Sequence, residues 1–138
     1  MAHPEFAMNN VKLSCDRWLG MHCADWEVES PRWPDVETSI RRLDQAEFTV
    51  VTLELDGEAH LAVGGGAGGY IVYETPDNFT FFNLLSEQAG NDSVIVAIGG
   101  QEAPYPAIQV VDIETALRAA HTYWQSQQRD STLLGVEQ

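Results

Sequence analysis

Read for the spacing of its apolar residues, the chain changes character three times. Through residues 8–33 apolar and acidic side chains are interleaved without a regular period. Val11-Lys12-Leu13 has the length and composition of a short strand, and Trp18, Trp26 and Trp33 stand among Asp16, Asp25, Glu27 and Glu29. Pro31 and Pro34 then break the pattern. Asp35 ahead of Val36, Ile40 and Leu43 at helical spacing predicts an N-cap and a short helix over about 36–44. From Glu47 the period falls to that of strands. Residues 48–55 are rich in apolar and β-branched side chains and stop at Asp56-Gly57, a pair suited to the positive φ angles of a two-residue hairpin turn.

Residues 59–63 read as the returning strand. The glycine run 64–69 predicts the next turn, 70–73 a third strand, and Pro76-Asp77-Asn78 a turn into a fourth at 79–82. Residues 94–98 are apolar on both faces, which predicts a central strand. Gly99-Gly100, Pro104 and Pro106 frame a last strand over 105–111, whose prolines place its start at an edge or a bulge. Asp112 caps a final helix over 113–128, where Ile113, Ala116, Leu117, Ala120, Trp124 and Gln127 recur at i, i+3, i+4 and make one face for a sheet. Short links between strands favour antiparallel neighbours, because parallel pairs need long crossovers. The predicted class is α+β: an antiparallel sheet of about six strands, with a short N-terminal helix and a longer C-terminal amphipathic helix packed on it.

Composition narrows the possibilities. The 138 residues suit one domain, and a chain of this size buries roughly 68–70% of its unfolded surface without a disulfide or metal. An apolar content of 44% belongs to a globular protein, and no run of about 18 apolar residues predicts a membrane-spanning helix. Seven Lys+Arg against 21 Asp+Glu give a formal charge of −14. Nucleic acids and anionic membranes are met by Lys and Arg, so this balance argues against both. It suits a basic partner, or serves solubility alone. Residues 1–7, with His3-Pro4-Glu5-Phe6, have no basic region before an apolar core; they read as an appended remnant rather than a signal peptide, leaving 8–138 as the domain. Cys15 and Cys23 are too far apart for a CxxC pair, and are expected as free thiols in a reducing cytoplasm.

Catalytic and cofactor motifs find little support. Gly64, Gly66 and Gly69 satisfy GxGxxG, but that fingerprint needs a helix after it to face a pyrophosphate, and here a strand is predicted. His3 and Glu5 match HxE without the downstream PCxxC of zinc deaminases, and His22, Cys23, His60 and His121 are scattered. No metal or cofactor is predicted. More informative are aromatic side chains set among acids. Trp26 lies beside Asp25, Glu27 and Glu29, and Tyr105 lies between Pro104 and Pro106 near Glu102. Trp and Tyr supply interface energy, and flanking carboxylates select a basic partner; the competing explanation is that the tryptophans fill the core.

The second half also carries a resemblance. Gly99-Gly100-Gln101-Glu102-Ala103-Pro104-Tyr105-Pro106, followed by Val110-Val111-Asp112-Ile113-Glu114-Thr115-Ala116-Leu117-Arg118-Ala119-Ala120, resembles the first-numbered immunity-protein family of bacterial polymorphic toxin systems. Trp33-Pro34-Asp35-Val36-Glu37 before Arg42-Leu43-Asp44 agrees with it, as does Leu61-Ala62-Val63-Gly64-Gly65-Gly66 before Gly69-Tyr70-Ile71-Val72-Tyr73-Glu74. The resemblance implies a non-catalytic antitoxin of the bacterial cytoplasm. Such a protein binds a toxin domain that acts on nucleic acid, often a DNA cytidine deaminase. A phosphate-holding groove is basic, so a carboxylate-rich surface can occupy it. The coincidence of acids and aromatics on predicted turns and strand ends selects Asp25, Trp26, Glu27, Glu74, Asp77, Glu102 and Tyr105 as candidate partner contacts. Two other readings are a small-ligand or enzymatic domain using the Gly64–Gly69 hairpin, and a self-assembly module pairing through an exposed strand edge.

Overall fold

A computed structural model describes residues 11–87 and 92–137; the residues 1–7 singled out above lie outside that range. In chain order the elements are β1 (Lys12–Cys15), β2 (Trp18–Leu19), β3 (His22–Cys23), β4 (Trp26–Glu29), α1 (Trp33–Arg41), β5 (Val50–Glu54), β6 (His60–Gly66), β7 (Gly69–Thr75), β8 (Phe82–Leu84), β9 (Ser93–Ile98), β10 (Gln101–Pro106), a 3-10 turn (Ala107–Gln109), α2 (Ile113–Ser126) and β11 (Gly135–Glu137). Seven strands form one antiparallel sheet in the order β11-β8-β7-β6-β5-β1-β4. β9 pairs with β10 as a separate two-stranded ribbon, and β2 with β3 as a small hairpin. The class is α+β, as the alternation and the two helical patterns predict.

Strand pairing turns the alternation into a core. Leu13, Leu53 and Leu61 stand side by side across β1, β5 and β6, and Cys15, Val51, Val63 and Val72 make the next row. Both rows face Val36 and Ile40 of α1 and Ala116, Ala119, Ala120, Tyr123 and Trp124 of α2, all buried. Each buried Leu or Val contributes about 1.5–3 kcal/mol relative to exposure. The helices meet through aromatic rings: Trp33 lies 5.9 Å from Trp124, and the Trp124 indole donates to the Pro31 carbonyl at 2.9 Å. α2 begins where expected, with the Asp112 carboxylate accepting from Thr115 N at 2.9 Å, and stops at Gln127 in the left-handed region. α1 begins earlier than predicted. Arg32 is its N-cap, and Asp35 sits in the first turn, accepting from Arg32 N at 3.0 Å. Pro34, read as a breaker, is instead accommodated in that first turn, where no N–H is needed.

Four strand expectations are corrected. The glycine run is not mainly a turn: Gly64–Gly66 continue β6, and only Ala67 and Gly68 reverse the chain. Residues 79–81 belong to the β7–β8 turn, held there by Asp77, so the strand starts at Phe82. β9 is not a central strand. It lies in the ribbon with Val94 and Ile95 exposed, while Val96 and Ala97 are buried; β10 already starts at Gln101 and gives way to the 3-10 turn. The apolar character of β9 is used by laying the ribbon on β6, where the sheet has no side chains. A Cβ on Gly64 would stand 2.7 Å from the Ile98 methyl, and one on Gly65 would stand 3.0 Å from Val96. Gln45 fastens the ribbon, donating to the Gly66 carbonyl and accepting from Ala97 N, both at 2.9 Å.

One buried carboxylate joins these parts. Asp16, just past β1, accepts from Thr49 N at 2.8 Å and Val50 N at 2.9 Å through one oxygen. Its other oxygen accepts from the Thr49 hydroxyl and, at 2.8 Å, from the Trp18 indole. The Thr49 hydroxyl in turn accepts from Gly100 N at 3.2 Å, at the tip of the ribbon. Replacing Asp16 by Ala strands several buried donors at once, so chemical denaturation should show a loss of about 3–5 kcal/mol. Gly66 has φ +121°, and a Cβ there would run into the Leu43 carbonyl. Gly66→Ala should therefore cost about 2–4 kcal/mol in the same measurement, from strain and overpacking together.

Candidate partner-binding surface

The helices cover one face of the sheet. The opposite face is roofed over β6 by the ribbon and otherwise carries polar rows set by the register. Glu29, Lys12, Glu54, His60 and Thr75 form one row across β4, β1, β5, β6 and β7; Glu27, Ser14, Thr52, Ala62 and Tyr73 form the next. Lys12 Nζ is 3.3 Å from Glu27 and 4.0 Å from Glu54, and its hydrogen bond to Glu27 with the charge of Glu54 raises its pKa. One lysine thus stands among three carboxylates. Further along, the His60 Nδ1 donates to the Glu58 carbonyl at 2.9 Å, leaving Nε2 to accept from the Tyr73 hydroxyl at 3.1 Å. Tyr73 meets Phe81 edge to face at 5.5 Å, and burial raises its pKa, with Tyr105 close enough to add to the effect.

The candidate contacts divide by position. Glu27 projects from the polar face. Asp77 borders it in the β7–β8 turn, where its carboxylate accepts from Thr80 N at 2.8 Å and Phe79 N at 2.9 Å; those bonds hold its pKa below the usual range. Tyr105 lies on the inner side of the ribbon opposite Val94, half-buried near Tyr73. Asp25 and Glu102 are both exposed toward the end where Gly100 meets the Trp18 indole. Asp25 accepts from the Cys23 thiol at 2.9 Å, and Cys15 and Cys23 are both free. Trp26 faces the helix side instead. The Arg42 guanidinium covers its ring at 4.4 Å, and Phe48 meets it edge-on at 6.2 Å, so its main duty is packing. Sequence reasoning left Glu29 and Glu54 out of the candidate contacts; the register brings both beside Lys12. It also missed Phe79 as a surface feature, 86% exposed at the tip of its turn.

Glu74 lies beneath the surface on the helix side of the sheet, 7% exposed. It lines a recess of about 280 Å³ with Thr80, Phe82, Tyr123, Arg129 and Glu137. Its Oε2 is buried with no hydrogen-bond partner. Desolvation pushes its pKa up to about 7, against the pull of Arg129 and with a small push from Asp130. Arg129 spends itself on an aromatic face, its guanidinium 3.8 Å from the Phe82 centroid. Tyr123, buried beside Glu74, is pushed up to about 12.

The family model for Immunity protein Imm1 matches residues 23–136. The chain belongs to the Imm1 family. No individual curated protein matches it. Family membership makes it an immunity protein, a non-enzymatic inhibitor whose partner is a toxin. The glycine run accordingly has a packing explanation, since Ile98, Val96 and Leu43 occupy the space at Gly64–Gly66. A wider recess of about 810 Å³ takes in Leu85, Ser86, Asp112, Thr115 and Arg118, and only Gly68 of that run reaches it. Among the described residues no helix is long and apolar enough to cross a membrane.

The buried glutamate gives this Imm1 protein a pH signature. A carboxyl with its folded pKa raised from 4.5 to about 7 stabilises the fold fully below about 4.5, and that contribution is lost as pH rises through 7. Thermal melts should therefore show stability falling between pH 5 and pH 8. Glu74→Gln should flatten that slope and stabilise the protein by about 1–3 kcal/mol at pH 8.

Proposed function

We propose that this Imm1 protein neutralises a toxin domain acting on nucleic acid, specifically a cytidine deaminase, by laying its acidic surface over the toxin's substrate groove in the cytoplasm of the producing cell. The observation that carries this reading is membership of the Imm1 family over residues 23–136. Charge supplies the mechanism. A groove built for phosphates presents Lys and Arg, and this chain offers 21 acids to seven basic residues. Its cations are largely committed: Lys12, Arg17, Arg41 and Arg118 hold ion pairs, while Arg42 and Arg129 lie over aromatic rings. The surplus carboxylates therefore set the outward field and speed capture.

Asp25, Glu27, Asp77 and Glu102 are the proposed charged contacts, and Tyr105 is the aromatic anchor that slows release. Trp26 supports this surface from below by fixing β4, and Glu74 is reached only through its recess. The test is co-purification with the toxin domain encoded by the adjacent gene, followed by deamination of a DNA substrate with and without the immunity protein. A tight complex with deamination abolished is the expected result; no complex, or an unaffected reaction, rejects the reading. Glu27→Lys with Glu102→Lys should slow association at least tenfold at low salt, measured by stopped flow. The wild-type association rate should fall as salt rises, and a salt-independent rate would remove the steering mechanism.

A further inference from the structure

The recess around Glu74 has a chemistry that the fold itself does not use. A buried carboxyl oxygen without a partner costs stability, and natural interiors satisfy the great majority of such atoms. Here Oε2 of Glu74 is left open. It belongs to a side chain only 7% exposed, on a cavity of about 280 Å³ with room for several waters of about 30 Å³ each. Every element around it contributes. The link before β6 gives Ala59, β7 gives Glu74 and Thr75, the following turn Pro76 and Thr80, and β8 the Phe82 ring; α2 gives Tyr123, the segment after it Gln127 and Arg129, and β11 Glu137. Asp130 adds a further negative charge nearby. Arg129 is the positive group of this set, and it lies against Phe82 rather than bonding Glu74 Oε2.

We propose that this recess receives one basic side chain of the toxin, a lysine or an arginine, with Glu74 as its buried counter-charge. The inference rests on the reading of the partner as a basic, nucleic-acid-directed domain. Three features fit that occupant. Glu74 Oε2 lacks a donor, and a cationic N–H is the donor that carboxylates bind most strongly. Ala59, Pro76 and the Tyr123 ring offer apolar walls for the methylene stem of a long basic residue. Pro76 and Thr80 of the lining belong to the turn that carries Asp77, an exposed carboxylate, so a further negative charge lies on the segment bordering the recess. A neutral occupant would satisfy one hydrogen bond but leave an ionised Glu74 without a counter-charge.

Occupancy by a cation has a proton consequence. In the free protein burial raises the Glu74 pKa to about 7, so the carboxyl is about half protonated at pH 7. Pairing with a cation favours the ionised form and expels the proton. The experiment is titration calorimetry of the wild-type protein with the toxin domain of the adjacent gene, at pH 7 in buffers of differing ionisation enthalpy. It is paired with carbon-detected NMR of the Glu74 carboxyl in free and bound protein. The expected results are release of about half a proton per complex at pH 7, the share a carboxyl of pKa about 7 holds there, and a Glu74 pKa that falls well below its free value on binding. Glu74→Gln should abolish the Glu74-dependent release and weaken affinity about tenfold to a hundredfold while its melt stays cooperative. Unchanged affinity for Glu74→Gln, or a Glu74 carboxyl that titrates identically in free and bound protein, overturns the recess alone. Failure of the wild-type protein to bind the toxin overturns the functional reading, and the recess proposal falls with it. A free-protein Glu74 already ionised at pH 5, paired internally with Arg129, also overturns the recess.

Discussion

Much of this molecule depends on what one buried carboxylate accepts. Asp16 follows the inner strand β1 and takes bonds from two successive backbone amides at the entry to β5, from the Thr49 hydroxyl and from the Trp18 indole. The backbone donors are ones that the sheet cannot supply with partners at that point, because the chain has just come off the loop after α1. Through Thr49 the same cluster reaches Gly100 at the ribbon tip. A sheet, a hairpin and a ribbon that share no strand pairing are thus brought to one polar point. A buried carboxylate saturated in this way is worth keeping, whereas a half-satisfied one is a liability. Glu74 is the contrasting case in the same fold.

The two sheet faces have opposite tasks, and the glycines of β6 serve both. Its Leu61 and Val63 feed the core under the helices, while Gly64 and Gly65 present bare backbone to the ribbon on the other side. This is how an apolar strand such as β9 is hidden without joining the sheet. It also explains why the acidic residues gather where they do. The polar face not roofed by the ribbon is the part of the sheet left to solvent, and β4 at its edge carries Glu27 and Glu29. Charge on an edge strand discourages pairing with a second copy, so one set of carboxylates can keep the chain separate and be available to a basic partner.

The class, both helices and the β5–β6–β7 meander were legible, because each rests on a local pattern: period 3.6 for Ile113 to Trp124, Asp56-Gly57 for the hairpin, alternation for Val50–Glu54. Four strands were not. β2 and β3 have two residues each, too short for any period; β4, Trp26–Glu29, lies in the stretch that carries no regular period; and β11 is a strand only because β8 offers it an edge. β9 was legible as a strand but its place was not, since an apolar run looks the same whether it is buried between strands or laid across glycines. At the surface, the sequence could mark acids beside aromatics but not their side of the sheet. Trp26 and Glu27 are adjacent in the chain and point to opposite faces, one under Arg42 and one toward Lys12. Glu74 is separated from solvent by residues from α2, β8 and β11 that no local window contains.

The attachment of the ribbon through Gln45 has a dynamic meaning. Side-chain bonds from one glutamine, a hydroxyl contact at the tip and a few methyl groups on bare glycine hold β9 and β10 to the body. The sheet strands, by contrast, are laced by continuous backbone ladders. Local opening follows the weakest set of cooperative contacts. The arm that bears Glu102 and Tyr105 is therefore the segment that can adjust its pose while the scaffold stays folded. It lets shape complementarity be reached after charge has already brought two molecules together.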